Sequence, residues 1–309
     1  MPKVPRPNRP LADVNVGNAK SDGSRDVAVH FMPDPDILVG EGESKAILAL
    51  DASRSLMKMY GFGGPFGGDP NYVQAVARKL GAILCAAAKS GRSAGLYWAM
   101  GDGSKIEDIG EFSETDWGNV AIVGPRDRKN FGKGTKLLPA IQRCVAYAGG
   151  DTDLTIGAII TDGMIEDEQD CVNYCLQIGR EMAAGRRKPI KLVLIGIGQE
   201  IDKGQLERFD DMFEGTELDG KVDIWSSGMV ESMQEEGDIL AVLYGELMSE
   251  DVLVADSGRV EDGAGNTLKN FADGVPGKFT FVLPKGQTKF VVHAAGQQVA
   301  QDVSEALRP

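Results

Sequence analysis

Residues 45–55 read Lys45-Ala-Ile-Leu-Ala-Leu50 followed at once by Asp51-Ala-Ser53-Arg-Ser55. After its single lysine the first segment is a continuous apolar run, the pattern of a central strand buried on both faces. A strand of that kind needs helices above and below it. Gly61 to Gly68 form a glycine-rich loop, and Asp69-Pro70 then supplies an N-cap and a first-turn proline. Val73, Val76, Ala77, Leu80, Ile83 and Leu84 follow at helical spacing, an apolar stripe that can cover the strand.

The alternation repeats along the chain. Ala94–Met100, Thr155–Ile160 and Lys191–Ile197 read as further buried strands, with Ile109–Phe112 a short edge strand and Val222–Trp225 the last one. Leu137–Ala148, Glu166–Ala184, Ile201–Phe213 and Met229–Met248 read as helices, and Ser113–Gly134 as a long polar loop. Apolar strands alternating with amphipathic helices imply right-handed βαβ units and a mainly parallel α/β sheet. Outside residues 45–248 the character differs. Residues 1–24 are basic and proline-rich at the start and read as a flexible arm. Within 25–44, Asp26–Phe31 and Ile37–Val39 read as short strands. Residues 249–309 hold short β-type runs such as Thr280–Leu283 and Lys289–His293, divided by turn residues, and are expected to form a small antiparallel β domain. The strand near Val27–Phe31 is expected to join it, because an isolated strand needs a partner.

Composition removes several function classes. The formal net charge of −13 argues against a nucleic-acid partner, because phosphate binding needs excess Lys and Arg. No run of about 18 apolar residues exists, so no membrane span is expected. The N-terminus lacks the apolar core of a signal peptide, and four cysteines in 309 residues do not form a secreted disulfide framework. A cytoplasmic location is expected.

In open parallel sheets, ligands sit outside the carboxyl ends of the strands where strand order reverses. Oxygen-bearing side chains fall at such ends: Asp51, Ser53 and Ser55 after the first central strand, Asp162 after the Thr155–Ile160 strand, and Thr135 in the loop before the Leu137 helix. The pattern Asp-x-Ser-x-Ser, then a distant Thr, then an Asp after a buried strand, resembles the von Willebrand factor type A (vWA) family and its metal-ion-dependent adhesion site. The resemblance covers roughly Lys45 to Met248 and implies a six-stranded, doubly wound, Rossmann-like sheet. It also implies that Ser53, Ser55 and Thr135 bind Mg²⁺ (or Mn²⁺ or Ca²⁺) directly, that Asp51 and Asp162 act through water, and that a partner protein supplies an acidic side chain. Arg54 stands where the family commonly has glycine, which alters the rim. The resemblance extends to bacterial modules of stress-response, tellurite-resistance-type and ATPase-associated assemblies, and to a last helix that shifts on ligand binding. Neutral hydroxyl ligands would leave the ion's charge poorly quenched and receptive to an external carboxylate. The expected function is therefore a non-catalytic, cation-dependent protein-binding module.

The alternative is a Mg²⁺-dependent phosphoryl-transfer enzyme or phospho-receiver with Asp51 as nucleophile, but such sites usually cluster two acids at one strand end and add a lysine. Other signals read blandly. Gly61–Gly67 lies too far from Leu50 and contains Pro65, unlike a dinucleotide loop; Gly132-Lys133-Gly134-Thr135 lacks the Ser or Thr after Lys and has Asp127 where a P-loop has glycine. Cys85, Cys144, Cys171 and Cys175 read as small buried residues. His30 and His293 lie outside the α/β region and serve no hydrolytic triad. Glu166–Asp170 reads as a solvated helix start.

Overall fold

The computed structural model describes residues 3–4, 7–62, 69–149, 152–198, 201–230, 236–248 and 252–307. Most of the Gly61–Gly68 loop (63–68) and residues 231–235 of the expected last helix lie outside them. The chain divides into two compact units, Asp34–Leu243 and the pair of segments Met1–Pro33 and Tyr244–Pro309.

The second of these begins with β1 (Leu11–Val16) and β2 (Arg25–Phe31), an antiparallel pair. The arm expected over residues 1–24 is thus corrected at β1. Its apolar residues Leu11, Val14 and Val16 are buried, with the register shifting between Leu11 and Asp13, and the Asp and Asn among them, both poor strand formers, disguised the strand.

The larger unit starts with α1 (Pro35–Val39), capped by the Asp34 side chain, where a short strand was expected over Ile37–Val39. Asp34-Pro35 carries the same cap-and-proline signature as Asp69-Pro70, and here it does start a helix. The core elements then follow: β3 (Ser44–Asp51), α2 (Tyr72–Ala87), β4 (Arg92–Met100), β5 (Lys105–Ser113), α3 (Glu114–Asn119), α4 (Leu138–Ala148), β6 (Leu154–Thr161), α5 (Glu168–Ala183), β7 (Ile190–Ile197), α6 (Lys203–Asp210), β8 (Trp225–Val230) and α7 (Glu236–Leu247). Two elements differ from expectation. The long polar loop contains α3, closed by a reciprocal Ser113–Asp116 capping box. The last strand lies at 225–230 rather than 222–225, so Met229 and Val230 belong to it and not to the last helix.

The six strands form one sheet in the order β5-β4-β3-β6-β7-β8, parallel except for the antiparallel edge strand β5. This is the doubly wound, Rossmann-like arrangement. Ile47 and Ala49 of β3 pack in one cluster with Ile141 and Cys144 of α4, Cys175 of α5 and Phe209 of α6. α2 packs on β3 and β4, whose alternate residues point the other way. The chain runs from β3 outward to β5, then jumps back across β3 to β6. Strand order therefore reverses between β3 and β6, and their carboxyl ends, at Asp51 and Thr161, frame the crevice.

After α7 come β9 (Leu253–Ala255), β10 (Gly258–Asp262), β11 (Thr267–Phe271), β12 (Val275–Pro276), β13 (Lys278–Leu283), β14 (Lys289–Ala294) and β15 (Gln297–Asp302). They form a four-stranded sheet β11-β10-β14-β15, a β9–β12 pair, and a three-stranded sheet in which β13 pairs with β2, register Phe281 to Val27. Phe279, Phe281 and Phe290 are buried in this unit.

Candidate metal centre at the carboxyl edge of the sheet

Asp51 closes β3 and is almost entirely buried, 1% exposed. The chain turns beneath it because its Oδ1 accepts the Ser53 backbone N–H at 2.6 Å, an Asx turn that aims the two serines back at the strand ends. Asp51 Oδ2 accepts the Thr161 hydroxyl at 2.7 Å from the end of β6. Tyr60 fixes the same turn by donating its hydroxyl to the Asp51 carbonyl oxygen at 2.9 Å.

One residue beyond Thr161 stands Asp162. Its Oδ1 accepts the Ser55 hydroxyl at 2.8 Å and lies 3.4 Å from the Ser53 hydroxyl, while the two serine Oγ atoms are 2.9 Å apart. Asp51, Ser53, Ser55 and Asp162 thus belong to one hydrogen-bonded group. Thr135 arrives from a different loop. Its Oγ1 lies only 2.9 Å from where a Cβ on Gly163 would be, so it sits against the residue that follows Asp162. Among the described residues that hydroxyl has no hydrogen-bond partner. Ser53, Ser55, Thr135 and Gly163 line a single cleft of about 540 Å³.

The loops are tied together. Gly132 N–H donates to the Ala52 carbonyl and Arg54 N–H to the Gly132 carbonyl, both at 2.9 Å. Gly132 is required there, since a Cβ would fall 1.7 Å from the Ala99 carbonyl oxygen. Asp167 caps the start of α4 from across the cleft, its two oxygens accepting the Leu137 and Leu138 N–H groups at 2.7 and 3.0 Å. Part of the acidic run expected as a solvated helix start is therefore a brace for the loop that carries Thr135. Thr135 itself is no N-cap; Leu137 occupies that position.

Electrostatically the group is short of positive charge. Burial, then the neighbouring Asp162 charge, pushes the Asp51 carboxyl up to about 7, against the lowering effect of its bonds from Thr161 and Ser53. The donor set is two carboxylates and three hydroxyls, all oxygen, which suits a hard cation such as Mg²⁺ or Mn²⁺ and not a soft one. Among the described residues no three His, Cys, Asp or Glu side chains gather to hold an ion; a cation here would depend on the hydroxyls. The cysteines offer no second centre. All four are buried, and burial pushes the Cys144 and Cys175 thiols up to about 12 and 11, far from thiolate character. His293 pairs with Glu261 at 2.8 Å in the other unit.

Two contributors were not read from the sequence: Thr161, which holds the Asp51 carboxylate, and Asp167, which holds the Thr135 loop. Thr161 stands directly before Asp162, so its place at the strand end was visible although its partner was not.

No protein-family model matches the sequence, and no curated protein matches it. Some solved structures are similar at low identity. The VWA2 paralogue of ArnB from Sulfolobus acidocaldarius is 14% identical, with a TM-score of 0.40 over 95% of this chain and 74% of that one. The mussel byssus proximal thread matrix protein 1, whose structure has a zinc-occupied MIDAS motif, is 13% identical with a TM-score of 0.41, over 71% of this chain and 51% of that one. The human COPII-coat protein Sec24c is 11% identical with a TM-score of 0.41, over 88% of this chain and 45% of that one. The chain thus spans about half the length of the latter two. Among the described residues no helix is long and apolar enough to cross a membrane.

Proposed function

We propose that this chain is a non-catalytic protein-binding module that works through a divalent cation, Mg²⁺ or Mn²⁺, and captures an acidic side chain of a partner protein. The observation that carries the reading is the convergence on Asp162 Oδ1 of the Ser53 and Ser55 hydroxyls, beside a buried Asp51 and, in the cleft the serines line, a Thr135 hydroxyl without a partner among the described residues. Ser53, Ser55 and Thr135 would hold the ion directly, and Asp51 and Asp162 would balance its charge from behind. When bound, such an ion supplies a Lewis-acidic face for a carboxylate oxygen. The protein's own part is positional: Thr161 and the Ser53 N–H fix Asp51, Asp167 fixes the loop of Thr135, and Gly163 leaves room for its hydroxyl.

The competing reading makes Asp51 a phosphoryl-accepting nucleophile. Each of its oxygens already accepts a hydrogen bond, from Thr161 or from Ser53, and the side chain is buried to 1% exposure, so an incoming phosphorus has little access to it. The test is a calorimetric titration with Mn²⁺ and Mg²⁺. One ion per chain is expected for the wild type and none for Asp51→Ala or Ser55→Ala. Undiminished Mn²⁺ binding by both variants would remove the reading.

A further inference from the structure

Two cations stand uncommitted on the rim of this cleft. Arg54 lies between the two serines of the motif, and Lys133 lies in the facing loop, beside the Gly132 that accepts the Arg54 N–H. Both side chains are exposed, and neither has an ion-pair partner among the described residues.

The charge count explains why they matter. Asp51 and Asp162 accept hydrogen bonds from the serines that line the cleft, and on its wall are Arg54, Lys133 and Glu166. With every acid ionised, these five groups sum to about −1, and a divalent cation turns that to about +1. The ion would be neutralised by the two aspartates, so the surplus would sit on Arg54 and Lys133. Glu166 lies beside the same loop as Lys133: its carboxylate is 2.7 Å from where a Cβ on Gly134 would be, and it would repel an acid placed directly against it. Met164, 60% exposed, adds an apolar wall.

We propose that Arg54 and Lys133 form a second anion-recognition subsite, so that the partner segment carries two acidic side chains, one for the cation and one for this pair. The inference rests on the cation reading above and adds the chemistry of the partner. Arginine suits the role because its fork can grip a carboxylate with two parallel bonds.

The experiment compares two acetylated, amidated glycine-based peptides, one carrying a single aspartate and one carrying two aspartates separated by one glycine. Each is titrated into the full chain saturated with Mn²⁺. The two-aspartate peptide is expected to bind about three- to tenfold tighter, the range of one or two exposed ion pairs. That advantage should vanish in Arg54→Gln/Lys133→Gln, whose Mn²⁺ affinity should stay within about twofold of wild type because neither side chain is a ligand. If Mn²⁺ binds but the two peptides bind equally, if neither binds, or if the double variant keeps the preference, the second subsite is overturned while the cation reading stands. If Mn²⁺ itself fails to bind the wild type, the cation reading falls and the subsite falls with it.

Discussion

The Thr161 hydroxyl donates to Asp51 Oδ2 at 2.7 Å, so the last residue of β6 holds the last residue of β3 across the point where strand order reverses. The bond lowers the Asp51 pKa while burial and Asp162 raise it to about 7. An acid raised on folding keeps a proton that the unfolded chain releases near 3.8, so its stabilising contribution is full at low pH and is lost as pH rises towards about 7. In EDTA, the melting temperature of the wild type should fall over that window more steeply than that of Asp51→Asn. Thr161→Val removes a lowering bond, so its fall should extend to higher pH, at a cost of about 1–3 kcal/mol for a buried acceptor left without its donor. Parallel pH profiles for wild type and Asp51→Asn would contradict the assignment.

Gly163→Ala isolates the cation site from the fold. The backbone at 163 is not in a left-handed conformation, so alanine is tolerated there, but its Cβ would stand 2.9 Å from Thr135 Oγ1. The hydroxyl must turn away. Stability should change by less than about 1 kcal/mol, while Mn²⁺ affinity falls by about tenfold or more, the usual result of misplacing a ligand's support. Calorimetry and urea melts on the same sample separate the two effects.

Asp167 gives a second separation. Losing its bonds to the Leu137 and Leu138 N–H groups uncaps α4, and Asp167→Ala should cost about 1–2 kcal/mol. It should also weaken Mn²⁺ binding, because Thr135 stands two residues before the capped position. Asp167→Asn keeps one acceptor oxygen and should recover part of both losses. An alanine variant destabilised by that amount but with wild-type Mn²⁺ affinity would show that the loop of Thr135 holds itself.

How much of this was readable in the chain depends on the distance over which each signal acts. The buried strands were legible because β3, β6 and β7 have apolar side chains on both faces, and the sheet follows from their alternation with helices. That Asp51, Ser53, Ser55 and Asp162 meet was legible because strand ends in such a sheet converge. β8 was misplaced since Ser226, Ser227 and Gly228 carry little strand propensity, and only pairing with β7 makes them a strand. α3 hid in a polar loop although Ser113 and Asp116 form its capping box, with Asp where Glu or Gln is the familiar partner. The Asp167 brace and the Thr161 bond were hidden for a different reason. Each spans about 30 residues or more, 110 in the case of Thr161 and Asp51, and depends on a fold already formed.

The same contrast between local and long-range effects governs Gly81 in α2. By helix propensity alone, Gly81→Ala should stabilise the chain by about 1 kcal/mol. In the fold, a Cβ at Gly81 would lie 2.2 Å from Trp117 Cδ2, and the same ring packs so closely on Gly95 that a Cβ there would lie 2.8 Å from Cη2, which leaves it little room to shift. Trp117 is fully buried, and its Nε1–H donates to Ser93 Oγ at 2.8 Å, so displacing it adds a lost hydrogen bond to the overpacking. Those costs, about 1–3 kcal/mol each, exceed the propensity gain, and Gly81→Ala should be destabilising by about 1–3 kcal/mol in urea unfolding. In a Trp117→Leu background the ring is gone and the same substitution should become neutral or stabilising, a change of sign that a double-mutant cycle reads directly. A stabilising effect in the wild-type background would mean that the tryptophan does not occupy the space between these two glycines.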